Sequence, residues 1–246
     1  MAITLALLSL FASLSWWFLG FAILVWMTIV VIGSAWIGSN YHVKTHCSNL
    51  SEKENKIAIT FDDGPSEFTP KVLELLERFG VKAAFFCIGK NVDAHPEIVR
   101  QMFQNGHIVA NHSYLHGKDF DWKNSGEVLS ELAKTDEAIS KVCGRKPRFF
   151  RPPYGVTNPS IAKALQVTKH DVIGWNIRSM DGFSKDENAI YERIVRQIKP
   201  GAIILMHDTS QVTVNVLERI LLTLREKNFK IVPIDALLGL TAYEED

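Results

Sequence analysis

The first 41 residues of this 246-residue chain contain no aspartate, glutamate, lysine or arginine. From Met1 to Ile37, nearly every residue is Leu, Ile, Val, Phe, Trp, Ala or Gly. A helix needs about 20 apolar residues to cross the roughly 30 Å hydrocarbon core of a bilayer. The stretch is therefore long enough for one complete span with residues left over. We predict that residues 1–40 form a membrane-spanning segment of one or two helices.

Tryptophan residues indicate where the span begins and ends. Trp16 and Trp17 precede the apolar run 18–37, and Trp36 lies near its end. Tryptophan is enriched at both membrane interfaces, so this run is predicted to be a full span. Residues 1–14 would form a second short span or an interfacial stretch. A cleaved signal peptide fits less well, because no basic residue precedes the run and the run is too long. A buried core helix is disfavoured by the absence of charge.

The rest of the chain has the composition of an ordinary globular domain. Lysine and arginine together number 27, and aspartate and glutamate also number 27, so the formal net charge is zero. A nucleic-acid partner is not indicated, because binding a polyanion needs an excess of cationic groups. The three cysteines are odd in number and lack C-x-x-C spacing, which argues against a disulfide framework or a cysteine zinc site. No feature of the sequence indicates an oligomeric state.

Residues 41–56 are polar and aperiodic and are predicted to be a linker. Beyond them, short apolar runs alternate with amphipathic helical patterns over residues 57–240. This alternation predicts one parallel α/β domain. Seven strands suit a closed or nearly closed barrel better than an open sheet, although pattern alone fits both. The predicted strands are 57–61, 83–88, 107–111, 148–150, 171–176, 202–206 and 230–234.

Titratable side chains gather at the carboxyl ends of these strands, which is the end that carries the active site in β/α barrels. Asp62 and Asp63 end the first strand, and they should point to opposite sides because neighbouring strand residues do. An Asx turn is the alternative explanation for this pair. His112 and His116 are four residues apart, which would place them on one face of a helical turn. Asp plus two His is a plausible catalytic zinc set.

Two further strand ends carry charged groups. His207 follows an apolar strand and could be a core histidine, but Asp181 is a candidate partner that would keep its imidazole charged. Arg151 lies beside the rigid Pro-Pro-Tyr-Gly turn that includes Pro153 and Tyr154. If Arg151 only formed an ion pair with a surface carboxylate, its position beside such a rigid turn would be poorly explained.

Five motifs in this order resemble the polysaccharide deacetylase (NodB-homology) domain of carbohydrate esterase family 4. They are Thr60-Phe-Asp-Asp-Gly-Pro65, His112-Ser-Tyr-Leu-His116, Arg151-Pro-Pro-Tyr-Gly155, the stretch from Trp175 to Asp181, and Leu205-Met-His207. The resemblance covers residues from about Ile57 to Ile234, and its first three motifs are highly specific in combination. It implies a distorted (β/α)7 barrel, here preceded by the transmembrane segment.

The resemblance also implies roles for the matching residues. Asp63, His112 and His116 would bind a divalent metal, usually Zn²⁺. Asp62 would be the general base, with Arg151 holding it ionised, and His207 the general acid, with Asp181 as its partner. The backbone N–H of Tyr154 would complete an oxyanion hole. Leu205, Tyr154 and Pro153 would contact the substrate, an N-acetylated glycan.

One position departs from the family pattern. Many relatives have Trp directly after the aspartate of the fourth motif, whereas this chain has Gly182. The pocket is then expected to be more open, or to use Phe183 as its aromatic wall.

The expected activity is removal of N-acetyl groups from an aminosugar polymer, such as peptidoglycan or a chitin-like N-acetylglucosamine chain. Two alternatives stay open: an O-acetyl esterase acting on another glycan, and a catalytically dead, membrane-tethered glycan-binding protein. An extracytoplasmic catalytic domain at the cell membrane is expected, because such an enzyme would most usefully face the cell wall or an exported polysaccharide.

Overall fold

A computed structural model of the protein describes residues 16–244. Its first element is the 20-residue helix α1, Trp16–Ala35. The side chains of α1 from Trp17 onward are almost all exposed, as the 62% exposed fraction of Trp26 illustrates. This helix is long and apolar enough to cross a membrane. The second span predicted within residues 1–14 lies outside the described residues.

The strands of the domain form one parallel sheet that curls into an incomplete barrel. Their order across the sheet is β1-β6-β5-β4-β3-β2-β8-β7, and β9 pairs with the start of β2. Among residues 16–244 no strand pair joins the two edge strands, β1 and β7, so the barrel stays open there. The strands are β1 Thr45–His46, β2 Lys56–Asp62, β3 Ala84–Cys87, β4 Ile108–Asn111, β5 Phe149–Phe150, β6 Asp171–Ile173, β7 Ile177–Arg178, β8 Ile203–His207 and β9 Lys230–Ile231.

Helices cover the outside of this sheet. They are α2 Thr69–Arg78, α3 Gly89–Ala94, α4 Pro96–Gln104, α5 Ser125–Cys143, α6 Pro159–Thr168, α7 Glu187–Val195, α8 Gln211–Glu226 and α9 Ile234–Leu238. Short 3-10 turns occur at Ile37–Ser39, Phe120–Trp122 and Pro153–Gly155. α5 begins with a capping box, in which Asn124 and Glu127 each bond the other's backbone N–H.

The predicted distorted β/α barrel is confirmed, with differences in strand number and length. All seven predicted strands are present, and β1 and β7 are additional. Both additional strands are two residues long. Such strands carry no periodicity, so only pairing with neighbours reveals them. The predicted strand 171–176 ends at Ile173, and its chain continues through a turn into β7.

The segment predicted as a linker is packed against the domain. Its strand β1 pairs with β6, and Ser48 forms a bridge with Ala202. The Asn49 side chain donates a hydrogen bond to the Leu237 carbonyl at 2.8 Å. Residues 41–56 therefore connect α1 to the barrel through specific contacts.

Alternation along β2 decides which side chains reach the barrel interior. Ile57, Ile59 and Phe61 belong to the apolar core between sheet and helices. The residues between them point the other way, because successive strand side chains alternate. Thr60 and Asp62 accordingly lie on the inner side, fully or nearly fully buried. The sequence pattern thus aims one carboxylate into the barrel.

Candidate active site

The two aspartates at the end of β2 have different surroundings. Asp62 is in the strand and is buried, with 3% of its surface exposed. Asp63 leaves the strand with φ of +74°, in the left-handed region, so its carboxylate turns toward the two histidines. One oxygen of Asp62 accepts a hydrogen bond from Arg151 at 2.6 Å. The prediction that the two carboxylates point to opposite sides was wrong, because Asp63 lies beyond the end of β2 at positive φ. Both carboxylates face one pocket, at 3.7 and 3.5 Å from Nε2 of His112.

Arg151 is completely buried, and its donors are well partnered. Its guanidinium donates to the Thr60 hydroxyl at 2.9 Å and to the carbonyls of Ile173 and Gly174 at 3.0 and 2.9 Å. It also lies 4.0 Å from the centroid of the Phe86 ring. Burial lowers the pKa of Arg151, while the negative charge of Asp62 acts in the opposite direction. A buried guanidinium that donates these four hydrogen bonds holds the Asp62 carboxylate in place.

His112 and His116 converge as predicted, but not through a helical turn. The strand ends at Asn111, and the following loop places Ser113 and His116 at positive φ. The expectation of a helical turn was wrong, because Glu131 holds the backbone of this loop in another conformation. The Nδ1 atom of His112 lies 2.7 Å from the Arg151 carbonyl, so Nδ1 carries the proton there and Nε2 faces the site.

Three side chains could hold a metal ion. The Nε2 atoms of His112 and His116 lie 3.5 and 3.4 Å from Oδ1 of Asp63. Ligand atoms about 2.0–2.2 Å from a tetrahedral zinc ion are separated by about 3.3–3.5 Å. The three donor atoms lie within 4.8 Å of one another, and Oδ1 of Asp63 is buried without a hydrogen-bond partner. These residues fit a divalent metal.

Electrostatics favours the ionisation state that metal binding needs at two of the three side chains. Burial would lower the pKa of His112, but Asp62 and Asp63 outweigh it and raise that pKa, so a metal would displace a proton there. Burial would raise the pKa of Asp63, but the nearby imidazoles, first among them His112 at 3.5 Å, outweigh it and hold that pKa well below its usual range. Burial and the neighbouring His112 lower the pKa of His116 to about 4. An ionised carboxylate and a neutral imidazole are the forms that bind metals.

Glu131, which the sequence analysis missed, supports the histidine loop. This buried carboxylate on α5 accepts hydrogen bonds from the backbone N–H groups of Tyr114 and Leu115 at 2.9 and 2.8 Å. Both amides lie between the two histidines. No sequence pattern indicated this role of Glu131, because only folding brings α5 beside the loop.

Replacing Glu131 with alanine should loosen the metal site. We expect Glu131→Ala to weaken metal affinity about 10–100-fold, the usual effect of losing a group that orients metal ligands. Competition with a chromogenic chelator measures this. Glu137→Ala is the matched control, since Glu137 lies on the same helix and, among the described residues, pairs only with exposed Lys141. Equal affinity in the two variants would contradict the supporting role.

His207 and Asp181 form a second charged pair across the site. Nδ1 of His207 lies 2.7 Å from Asp181, whose other oxygen accepts from the His207 backbone N–H at 2.8 Å. Ser179 and Thr213 donate to the same carboxylate. Burial would lower the pKa of His207, but the hydrogen bond and negative charge of Asp181 outweigh it and raise that pKa to about 9. The imidazole is therefore protonated at neutral pH.

The pKa of His207 predicts a measurable titration. In the metal-free protein, we expect the His207 NMR resonance to titrate near pH 9, and near or below the ordinary 6.5 in Asp181→Asn. Because the folded-state pKa is the higher one, the pair stabilises the fold below pH 6.5 and loses this effect as pH rises through 9. An unchanged pKa in Asp181→Asn would contradict the pairing.

A buried carboxyl group supports the turn after Asp63. Asp208 is fully buried and accepts a hydrogen bond from the Thr69 hydroxyl. A Cβ atom on Gly64 would fall 2.2 Å from a carboxylate oxygen of Asp208. Only glycine allows this approach of the backbone, which explains Gly64 in the Asp-Asp-Gly turn.

A pocket of about 120 Å³ opens beside these groups. Leu205 and Tyr154 line it as predicted, whereas Pro153 is buried behind it and Pro152 takes the lining position. Tyr154 has φ of +58°, so its backbone turns sharply at the pocket. Gly182 and Phe183 lie on the rim, and Phe183 is 74% exposed.

Two lining residues, Trp175 and Arg178, were not predicted to contact substrate. Trp175 packs over Gly155, where a Cβ atom would fall 2.5 Å from its ring. Arg178 lies on the additional strand β7, which explains why its place in the site was missed.

Comparisons with known proteins agree with this geometry. Residues 49–173 match the family model described as polysaccharide deacetylase. The chain is 32% identical over 187 residues to the peptidoglycan-N-acetylglucosamine deacetylase of Bacillus cereus, with 74% of this chain and 68% of that protein covered. It is 32% identical over 197 residues to the chitooligosaccharide deacetylase of a Bradyrhizobium species, with 74% and 90% covered.

A solved structure extends the likeness beyond residue 173. The crystal structure of a peptidoglycan N-acetylglucosamine deacetylase with a bound N-hydroxybenzamide compound superposes with a TM-score of 0.74 at 30% identity. The superposition covers 81% of this chain and 95% of that one.

Proposed function

This chain belongs to the polysaccharide deacetylase family of carbohydrate esterase family 4, and on that premise we propose that it hydrolyses N-acetyl groups of an aminosugar glycan. The products are acetate and the free amine of the sugar. We further propose peptidoglycan or chitin-like N-acetylglucosamine as the natural substrate class, Zn²⁺ as the metal, and the assignments of individual residues given below.

Asp62 is proposed as the general base. Its carboxylate is held by Arg151 at 2.6 Å, and its free oxygen lies 3.7 Å from Nε2 of His112, next to the metal-binding group. A carboxylate fixed at this point can accept the proton of a water attacking the acetyl carbon. Arg151 stabilises the negative charge of Asp62 before that transfer.

Asp63, His112 and His116 would hold the metal. Bound to these residues, a zinc ion would acidify water and polarise a carbonyl oxygen. The chain's own contribution is to keep the imidazole Nε2 atoms and one carboxylate oxygen facing the pocket. The Tyr154 N–H is proposed as a donor to the developing oxyanion, an interaction that typically contributes about 10²–10³ in rate.

His207 is proposed as the general acid. Its Nε2 lies 4.0 Å from Asp63, and His207 pairs in register with Asp62 on the neighbouring strand β2. It can donate a proton to the departing nitrogen, which would otherwise leave as an unstable amide anion. Asp181 orients the ring and keeps it charged. Leu205 forms an apolar floor suited to the acetyl methyl group.

The observation that most supports this function is a pair of groups held beside one metal-binding set: the Asp62 carboxylate, hydrogen-bonded by Arg151, and the His207 imidazole, whose pKa the hydrogen bond and charge of Asp181 raise. The test is acetate release from N-acetylglucosamine oligomers and from peptidoglycan by the purified full chain. We expect chelator to abolish release and added zinc to restore it. No release by folded, metal-loaded protein would refute N-deacetylation of these substrates.

The two alternatives make different predictions in the same assay. An O-acetyl esterase would release acetate from O-acetylated glycans but not from N-acetylated ones. An ester is easier to hydrolyse than an amide, because its leaving group needs less protonation. A glycan-binding protein without activity would retain the oligomers and release no acetate from either substrate. The intact arrangement of base, acid and metal ligands favours an active enzyme.

We propose that α1 anchors the protein in the cell membrane, with the catalytic domain on the extracytoplasmic side. The helix has almost no buried side chains, as expected for a lipid-facing span. Labelling by a membrane-impermeant thiol reagent tests the side. Cys47 is only partly exposed, so the test uses Leu50→Cys in a Cys47→Ser background, since Leu50 is 85% exposed. Labelling only after cell lysis would refute the extracytoplasmic location.

A further inference from the structure

The end of the apolar helix is hydrogen-bonded to the catalytic domain. The Ser34 carbonyl accepts from the Thr157 backbone N–H at 3.0 Å, and the Ser34 hydroxyl lies 3.0 Å from His42. Ile37, just beyond the helix, is 95% buried, since only 5% of its surface is exposed, and its carbonyl accepts from the Thr45 hydroxyl at 2.6 Å. These contacts fix the domain against the end of α1, so its active site stays close to the membrane surface.

A second cavity, of about 650 Å³, lies between the helix end and the active site. Trp36 and Ile37 line it on the membrane side. Tyr154, Trp175 and Arg178 line it on the other side, and the same three residues line the catalytic pocket. A single ligand could therefore extend from the bilayer surface to the metal-binding group.

The charge of this cavity is positive. Its lining includes Arg178 and Arg193 and, in the described part of the chain, no aspartate or glutamate. Nε of Arg193 donates to the backbone carbonyl of Arg178 at 3.0 Å, so the Arg193 side chain lies against the backbone of β7. Neither guanidinium forms an ion pair with a carboxylate of residues 16–244, and Nε of Arg178 is buried without a hydrogen-bond partner. Two arginines that line one cavity without a carboxylate partner are suited to bind phosphate.

We propose that the enzyme deacetylates a saccharide that is joined through a phosphate to a membrane lipid. This inference rests on the proposed deacetylase function and names its substrate class. The lipid chain would lie in the bilayer beside α1, the phosphate would contact Arg178 and Arg193, and the N-acetylated sugar would enter the pocket past Trp175. Deacetylation would then precede release of the glycan from its lipid carrier.

The test compares two substrates with the full chain in lipid nanodiscs. One is an N-acetylglucosaminyl saccharide on polyprenyl diphosphate, and the other is the same saccharide on an uncharged alkyl chain of similar length. We expect kcat/KM for acetate release to be at least tenfold higher for the phosphate-linked substrate. In Arg193→Gln, the ratio of the two rates should fall to near one.

Arg196→Gln is the matched control. Arg196 directly follows α7, the helix that carries Arg193, and its exposed side chain pairs with Glu192. This variant should keep the wild-type ratio. Equal rates on both substrates in the wild type would overturn the proposal. A preference for the phosphate-linked substrate that persists in Arg193→Gln would also overturn the proposal, because it would show that this cavity does not bind the phosphate.

Binding separates this proposal from the deacetylase function. If no substrate releases acetate, nanodisc binding of the polyprenyl diphosphate saccharide still tests the cavity, and binding lost in Arg193→Gln but kept in Arg196→Gln supports it. Undiminished binding in Arg193→Gln refutes it. Equal competition by phosphatidylglycerol would show a general site for lipid headgroups and would refute the substrate assignment.

Discussion

Asp62→Asn should lower kcat/KM for acetate release about 10³-fold while the protein keeps its fold and its metal. Asparagine cannot accept the proton of the attacking water, and general base catalysis typically contributes 10²–10⁴ in rate. Its side-chain oxygen can still accept the hydrogen bond from Arg151, which aspartate accepts at 2.6 Å. This choice limits the cost of leaving a buried cation unpaired.

Three measurements make the Asp62→Asn result interpretable. Metal content, thermal midpoint and steady-state rate are compared with Asp186→Asn, in which an exposed helix-capping aspartate becomes an equally good cap. The control should match the wild type in all three. A rate for Asp62→Asn within about tenfold of wild type, with metal bound, would refute the base assignment.

His112→Ala should abolish both metal binding and activity. The imidazole supplies one of three protein donors, and its ring is held by the 2.7 Å contact with the Arg151 carbonyl. Two remaining donors in a solvent-connected pocket bind a divalent ion weakly. We expect metal content to fall from about one ion per chain to near zero, and activity to fall at least 10³-fold.

The matched control is His95→Ala. His95 is an exposed histidine that contacts only Glu97 among the acidic groups, at 3.7 Å, and it lies outside the pocket. Its loss should leave metal content and rate unchanged. Stoichiometric metal in His112→Ala, measured by atomic emission after dialysis, would mean that the metal is bound elsewhere.

A stability measurement adds a separate check on His112→Ala. The removed ring is buried beside Asp62 and Asp63, so the two carboxylates repel each other more strongly in the metal-free variant. A folded variant without metal would confirm that the loss of activity comes from the site. An unfolded variant shifts the test to His116→Ala, whose ring is less buried, with 15% of the side chain exposed.

The amino-acid sequence was sufficient to predict seven of the nine described strands, their alternation with helices along the chain, and the chemical groups of the site. Continuous apolar runs marked the buried strands, because a parallel sheet covered on both faces needs apolar residues throughout. Polar residues at the ends of those runs marked the catalytic edge. The position of Asp62 inside the barrel followed from simple alternation along one strand, which is a local property.

The way in which these groups meet depends on tertiary contacts. The histidine spacing indicated a shared site, yet the loop that brings His112 and His116 together is shaped by Glu131 from a distant helix. Strand β7 is too short to have a pattern, so the place of Arg178 in the pocket could not be predicted, and Trp175, although it begins the fourth motif, reaches the pocket through its packing over Gly155. The packing of residues 41–56 likewise depends on partners elsewhere in the barrel. The spacing of apolar residues along the chain indicates which residues are buried. Contacts between distant segments depend instead on the free energy of the whole fold.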